Sequence, residues 1–134
     1  MATTGQHVNV ERARRAYEAF GKGDMATLSE LITEDTVWHI GGKSPLSGEY
    51  KGRDAVFGFF GKLKEESGGT FRLEVHDILA NDEHGAVMVR SMGERKGKKW
   101  DGRSVHITHA DSEGRTKEFW AFEENQAGLD EFFA

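Results

Sequence analysis

Histidine side chains are the groups in this 134-residue chain that are best suited to proton transfer near neutral pH. His39 lies in Thr36–Ile40, a run of β-branched and aromatic residues that predicts a short strand. His106 shares a strand face with Ser104 and Thr108, and this polar stripe either lines a pocket or faces solvent. A neutral imidazole accepts a proton on one nitrogen and donates from the other, so His39 and His106 are candidate catalytic residues. The alternative is that they are packed, hydrogen-bonded histidines.

Several aromatic residues could complete a pocket around such a pair. Tyr17 lies on the apolar face of a predicted helix, where its hydroxyl could act as an acid or simply bond a neighbour. Tyr50 lies in a glycine-rich loop, where it could touch a ligand. The remaining candidates for substrate-binding walls, each of which could equally be ordinary core, are Phe57, Phe60, Phe119 and Trp120.

Metal and cofactor chemistry has no recognisable motif along the chain. Cysteine is absent, which excludes thiolate nucleophiles and zinc–thiolate sites. The six histidines show no HExxH or similar spacing, and His106 and His109 are predicted on opposite faces of one strand. A glycine-rich nucleotide-binding loop is also absent from the sequence. We therefore expect neither a metal nor a cofactor.

The elements that would position these residues follow from periodicity and from turn signals. Three helices are predicted, beginning near Val8, Asp24 and Asp54, and residues 41–53 between the second and third are predicted to be a loop. Five strands are predicted at 36–40, 70–79, 86–94, 100–110 and 116–123. The tail from Leu129 to Phe133 could add half a turn of helix or lie across a partner. Helices that precede a run of hairpin-joined strands indicate an α+β fold, in which a curved, mostly antiparallel sheet forms a cone around three helices. One end of the cone would remain open as a pocket.

The length and net charge of the chain indicate which classes of partner it can bind. The chain fits a single domain over 1–134, with a core at about 8–126 and a tail at 127–134. A net charge of −5 argues against nucleic acid or an anionic membrane as the main partner. No apolar run approaches the ~18 residues that span a bilayer, and the N-terminus does not read as a signal peptide. We expect a soluble, cytoplasmic protein that binds a small apolar organic ligand.

Five motifs resemble the nuclear transport factor 2-like superfamily, in its SnoaL-like and ketosteroid isomerase-like branch. The resemblance covers about residues 8–126. The motifs are Gly23-Asp24, the segment from Glu34 to His39, the segment from Gly48 to Val56, the hairpin from Val105 to Gly114, and Phe119-Trp120. The resemblance implies a cystatin-like α+β barrel. It identifies function poorly, because this fold carries isomerases, cyclases, hydrolases, dehydratases and binding modules.

The relatives suggest where a site would lie. By motif position, the general base of ketosteroid isomerase falls on His39, its oxyanion-binding acid on His106, and its tyrosine on Ala16 beside Tyr17. The Asp-Arg-Asp arrangement of limonene epoxide hydrolase would retain only Asp101 and Arg103. The SnoaL-like cyclases are the closer resemblance, and they work by acid–base chemistry on a carbonyl substrate without a cofactor.

Two functions therefore stand as expectations. The first is a cofactor-independent enzyme that isomerises, cyclises or eliminates from an apolar carbonyl compound, with His39 as base and with His106 and Tyr17 at the oxygen. The alternative is a non-catalytic ligand-binding or dimerisation module. A cavity of roughly 300 Å³ or more, lined by both imidazoles, would distinguish the enzyme. A homodimer is expected through the convex sheet face, on some combination of Trp38, Val105, Ile107, Trp120 and Phe122.

Overall fold

The computed structural model describes residues 7–134, which form one curved six-stranded sheet and four helices. The helices are α1 (Val8–Lys22), α2 (Met25–Leu31), α3 (Arg53–Glu66) and α4 (Gln126–Phe133). The strands are β1 (Ile32–Ile40), β2 (Gly48–Lys51), β3 (Arg72–Ala80), β4 (His84–Arg95), β5 (Lys98–Ala110) and β6 (Thr116–Glu123). The predicted α+β class and the order of its helices and long strands are confirmed, and no helix in residues 7–134 is long and apolar enough to cross a membrane.

Two residues near the start of the chain determine where α1 ends and α2 begins. Gly23 ends α1 in the left-handed conformation, with φ of 68°, which glycine adopts without steric cost. Asp24 then caps α2 by accepting a hydrogen bond from the Thr27 amide at 3.1 Å. No loop follows α2, because β1 starts at Ile32. The strand predicted at 36–40 therefore begins earlier than expected, and residues 33–35 belong to it.

The sheet has the order β2-β1-β6-β5-β4-β3, in which only β1 and β6 run parallel. The register shifts between Val75 and Asp77 on β3 and between His109 and Ala110 on β5. Bulges of this kind bend a strand and increase its twist. Within residues 7–134 the edge strands β2 and β3 do not pair, so the sheet is an open half-cone and not the closed barrel that the resemblance implies.

One element was not predicted, and another is longer than predicted. The glycine-rich stretch 41–53 contains β2, which pairs with β1 in the register Trp38 to Tyr50. The C-terminal tail forms α4, a helix of eight residues instead of half a turn, and Phe132 and Phe133 are buried in the chain's own core. Both elements depend on contacts with residues far away in the sequence, which local patterns do not report.

Strand alternation divides the sheet into a concave face beneath the helices and a convex face that no helix of the described residues covers. The concave face carries Trp38, whose ring stacks on Phe119 at a centroid distance of 3.9 Å. Val56 of α3 is fully buried in the same core. On the convex face Phe122 remains 58% exposed. Successive side chains along a strand therefore point alternately into the helix-covered core and onto this open surface.

Candidate functional site

A cavity of about 180 Å³ lies between the concave face and the helices. Its walls are mainly apolar, and two of the predicted wall residues, Phe60 and Phe119, contribute to them. Other apolar lining comes from Ala16, Phe20, Phe59, Leu63, Ala121 and Leu129. The cavity is smaller than the 300 Å³ expected for the enzyme, so it fits a compact ligand instead of a large polycyclic one.

Tyr17 and His106 meet at the cavity wall. Tyr17 projects from α1 and His106 from β5, and the phenol oxygen lies 2.5 Å from Nδ1 of the imidazole. The two rings are nearly parallel, with centroids 5.8 Å apart. The structure therefore brings together two of the three residues that the sequence singled out for catalysis.

Burial makes both partners of this pair neutral. Removal of the imidazole from water disfavours its charged form and lowers the pKa of His106 to about 4. The same effect raises the pKa of Tyr17 above its ordinary value. At pH 7 the pair thus consists of a phenol and a neutral imidazole, which can donate and accept hydrogen bonds but carry no charge.

The polar stripe of β5 continues from His106 to an acidic residue on β6. Ser104 Oγ lies 3.5 Å from His106 Nε2, at the long limit of a hydrogen bond. Directly opposite Ser104 in the sheet register is Glu123, whose Oε1 is buried and has no hydrogen-bond partner among residues 7–134. We call Tyr17, His106, Ser104 and Glu123 the polar row.

Glu123 is the ionisable group of the polar row whose pKa lies nearest to neutral pH. Burial raises the pKa of its carboxyl to about 7, and hydrogen bonding from the Ser104 hydroxyl offsets only part of this rise. A carboxyl with such a pKa exchanges protons readily at neutral pH, as general acid–base catalysis requires. It lies in a mainly apolar cavity, and ionisable groups with shifted pKa values in a cavity are candidates for function.

Sequence reasoning missed Glu123, although a signal was present. Glu123 lies on the same strand face as Phe119 and Ala121, two positions apart each time, so it is an acid on an otherwise apolar face. The strand at 116–123 was predicted, but this face becomes informative only once Phe119, and not Trp120, is known to point inward. The predicted inward stripe of Ser104, His106 and Thr108 does line the cavity.

His39 does not share the cavity with His106, and the expectation that it would is wrong. His39 pairs in register with Trp120, and Trp120 with Ile107, so all three lie on the convex face. Its Nε2 lies 2.7 Å from Glu118, and its ring stacks on Trp120 at 5.2 Å. The neighbouring Trp38 takes the inward position instead, because burying an indole gains more free energy than burying an imidazole that has charged partners outside.

Three of the predicted ligand-binding aromatics also lie outside the cavity lining. Tyr50 donates its hydroxyl to the Leu46 carbonyl at 2.7 Å and packs on Phe59. Phe57 packs against the ring of Phe60, which itself lines the cavity. Trp120 lies beside His39 on the convex face.

The epoxide hydrolase arrangement is not present either. Asp101 forms an ion pair with Arg90, with Nε to Oδ1 at 2.8 Å, and this pair lies on the exposed surface. Arg103 lies near Glu124, also on the exposed surface. In residues 7–134, the histidines and acids placed to share a metal ion are Glu83, His84 and His109, at the ends of β4 and β5 and apart from the polar row.

Comparison with known proteins agrees with this architecture. Residues 13–119 match the family described as SnoaL-like domain. Bal32a, from a soil-derived mobile gene cassette, is 35% identical, with a TM-score of 0.90 over 94% of this chain and 96% of its own. A protein of unknown function with a cystatin-like fold from Xanthomonas campestris is 28% identical, with a TM-score of 0.87 over 94% of this chain and 98% of its own.

Two further proteins are similar to this chain. An uncharacterized protein of Mycobacterium tuberculosis is 29% identical over 128 residues, which cover 94% of this chain and 96% of that protein. IdmH from Streptomyces antibioticus, a proposed polyketide cyclase, is 22% identical, with a TM-score of 0.72 over 91% of this chain and 99% of its own. At that identity the likeness to IdmH shows a common fold alone.

Proposed function

The chain belongs to the SnoaL-like domain family, and from this premise we propose that it catalyses proton transfer on a compact apolar carbonyl compound without a cofactor. The observation that carries the proposal is the polar row in a mainly apolar cavity, where one carboxyl oxygen of Glu123 is buried without a hydrogen-bond partner among residues 7–134. Glu123 takes the role of base that the sequence had assigned to His39. The reaction class is isomerisation, cyclisation or elimination through removal of a proton next to the carbonyl.

The cavity limits the size of the ligand. An apolar cavity of about 150 Å³ in another protein is large enough for benzene. A cavity of about 180 Å³ therefore fits a single substituted ring or an open chain of similar bulk. We expect aryl ketones and small cyclic diketones to bind, and steroids to be excluded by size.

The polar row can supply a base at one end and a hydrogen-bond donor at the other. With Glu123 ionised, the Tyr17 hydroxyl donates to Nδ1 of His106, and the imidazole carries its proton on Nε2, which faces Ser104. Glu123 then takes the proton from the carbon next to the substrate carbonyl. The Tyr17 hydroxyl turns from Nδ1 to donate to the substrate oxygen, and the imidazole keeps its proton on Nε2 throughout.

Exchange of ligand protons for deuterium tests this function without knowledge of the final product. Candidate ketones are first selected by their effect on the thermal midpoint, and α-proton exchange is then followed by NMR in deuterated buffer. Acid–base groups contribute about 10²–10⁴-fold in rate, so Glu123→Gln should lower the exchange rate by at least roughly 100-fold. Tyr17→Phe should lower the exchange rate as well, because it removes the donor to the developing oxyanion.

The matched control is Glu124→Gln, which changes the adjacent acid on the exposed surface. It should leave exchange unchanged. If Glu123→Gln exchanges ligand protons as fast as the natural protein, Glu123 is not the base and the proposal is wrong.

Two observations favour the alternative of a non-catalytic ligand-binding module. The cavity is smaller than expected, and of the two predicted imidazoles only His106 lines it. A module of this kind would bind the same ligands through the polar row but would not accelerate exchange. Saturable binding with an exchange rate equal to that in buffer would establish the module and exclude the enzyme.

A further inference from the structure

The ends of β4 and β5 bring together two imidazoles and a carboxylate that the proposed reaction does not use. His84 is the first residue of β4, and His109 lies directly opposite it on β5. Their rings are parallel within 12°, with centroids 5.1 Å apart. Glu83 precedes His84, and one ligand atom from each of the three residues lies within 4.8 Å of the others. We call these three residues the strand-end cluster.

The backbone that carries the cluster is fixed by its own hydrogen bonds. The Asn81 side-chain oxygen accepts from the amides of Glu83 and His84 at 2.9 and 2.8 Å. The Glu83 carbonyl accepts from the Ala110 amide at 2.8 Å, which ties the turn to the end of β5. Less conformational entropy is therefore lost when a ligand binds, because the positions of the Cα atoms are already set.

The side chains of the cluster are available for binding. Within residues 7–134, neither ring of the cluster nor the Glu83 carboxylate makes a side-chain hydrogen bond or an ion pair. Other histidines are engaged through their rings, with a carboxylate or with the tyrosine of the polar row, namely His7, His39 and His106. The cluster is thus a group of potential metal ligands with no partner in the described part of the fold.

We propose that Glu83, His84 and His109 bind a divalent transition-metal ion of the zinc type. Zinc–nitrogen and zinc–oxygen bonds of about 2.0–2.2 Å place tetrahedral ligand atoms about 3.4 Å apart, so modest rotations of exposed side chains suffice. Two imidazoles with one carboxylate suit zinc, cobalt, nickel or copper, whereas magnesium and calcium prefer ligand sets of oxygen alone. Three protein ligands leave a coordination position for water or an anion.

This site explains why spacing along the chain gave no metal motif. The expectation of no metal rested on short-range patterns and on His106 and His109 facing opposite ways. The metal-binding pair is instead His109 with His84, which the antiparallel register of β4 and β5 brings together. The site does not depend on the proposed function, and its test requires no enzymatic activity.

Calorimetric titration of the untagged, chelator-treated chain with zinc chloride tests the proposal. We expect one zinc per chain, and no measurable heat of binding with magnesium. His84→Gln and His109→Gln should each weaken zinc binding by at least roughly tenfold, and Glu83→Gln by a smaller factor. The matched control is His76→Gln, an exposed histidine on β3 outside the cluster, which should bind zinc like the natural protein.

Cobalt provides a second measurement that reports ligand type. The visible absorption of bound cobalt should indicate nitrogen and oxygen ligation, and the cobalt spectrum should disappear in the double variant of His84 and His109. Because these side chains are at the surface, circular dichroism of the variants should match that of the natural protein. Absence of zinc binding, or zinc binding that survives both histidine substitutions, would overturn the proposal.

Discussion

Replacing Glu123 by glutamine should change how the stability of the protein depends on pH. The pKa of this carboxyl rises from 4.5 to about 7 on folding, because burial disfavours the carboxylate. Between these two values the folded state therefore holds more protons at this site than the unfolded state. The free energy of unfolding loses this contribution as the pH rises from below 4.5 through 7. Glutamine does not titrate, so the variant escapes the loss.

The magnitude follows from the pKa difference. One pKa unit is worth about 1.36 kcal/mol, so the full effect is about 3 kcal/mol. The carboxyl is partly accessible to solvent, which screens its charge, and we reduce the expectation to about 2 kcal/mol. Between pH 5 and pH 8, Glu123→Gln should therefore gain about 2 kcal/mol of unfolding free energy relative to the natural protein.

Urea denaturation at several pH values measures this difference. All other titrating groups contribute to both proteins and cancel when the two curves are subtracted. The exposed neighbour provides the control, since Glu124→Gln should run parallel to the natural protein across the range. If the curve of Glu123→Gln is also parallel, the carboxyl is not desolvated in the folded state, and its assignment as the base loses its physical support.

Three further predictions concern other parts of the molecule. His106→Asn should show the opposite pH dependence, because burial lowers the pKa of His106 to about 4 in the folded state. The natural protein should lose about 2–3 kcal/mol of unfolding free energy as the pH falls from 7.5 to 4.5. The variant should escape this loss, and urea denaturation measures the difference. We propose a homodimer through the convex face, where Met88, Val105 and Phe122 are exposed cross-strand neighbours. Light scattering should find twice the chain mass of 15.0 kDa, and Phe122→Lys should halve the measured mass. A natural protein that scatters as a monomer would contradict the proposed dimer. Arg95→Ala should lower the unfolding free energy by about 2–3 kcal/mol and expose α4 to proteolysis, because the buried guanidinium donates to the carbonyls at the end of that helix. Unchanged stability would show that α4 is held by apolar packing alone.

The long helices and strands were predictable because their signals are local. Apolar residues at helical spacing, the glycine that ends α1 and the aspartate that caps α2 act within a few residues of one another. The segment β2 escaped prediction because Gly48–Lys51 is a strand only by virtue of pairing with β1. The helix α4 escaped because eight residues with a glycine among them depend on the burial of Phe132 and Phe133.

The fold class and the shared strand face of Ser104, His106 and Thr108 follow from the sequence alone, which also names Tyr17 as a candidate. Which face of each strand is buried depends on the tertiary structure. Alternation makes His39 and Trp38 mutually exclusive inside the cavity, and the gain from burying an indole against Phe119 decides in favour of Trp38. The same alternation, combined with the strand register, sets Glu123 opposite Ser104 on the face of His106, and His84 opposite His109. Register is a property of strands that meet from distant parts of the chain, so no local pattern contains it.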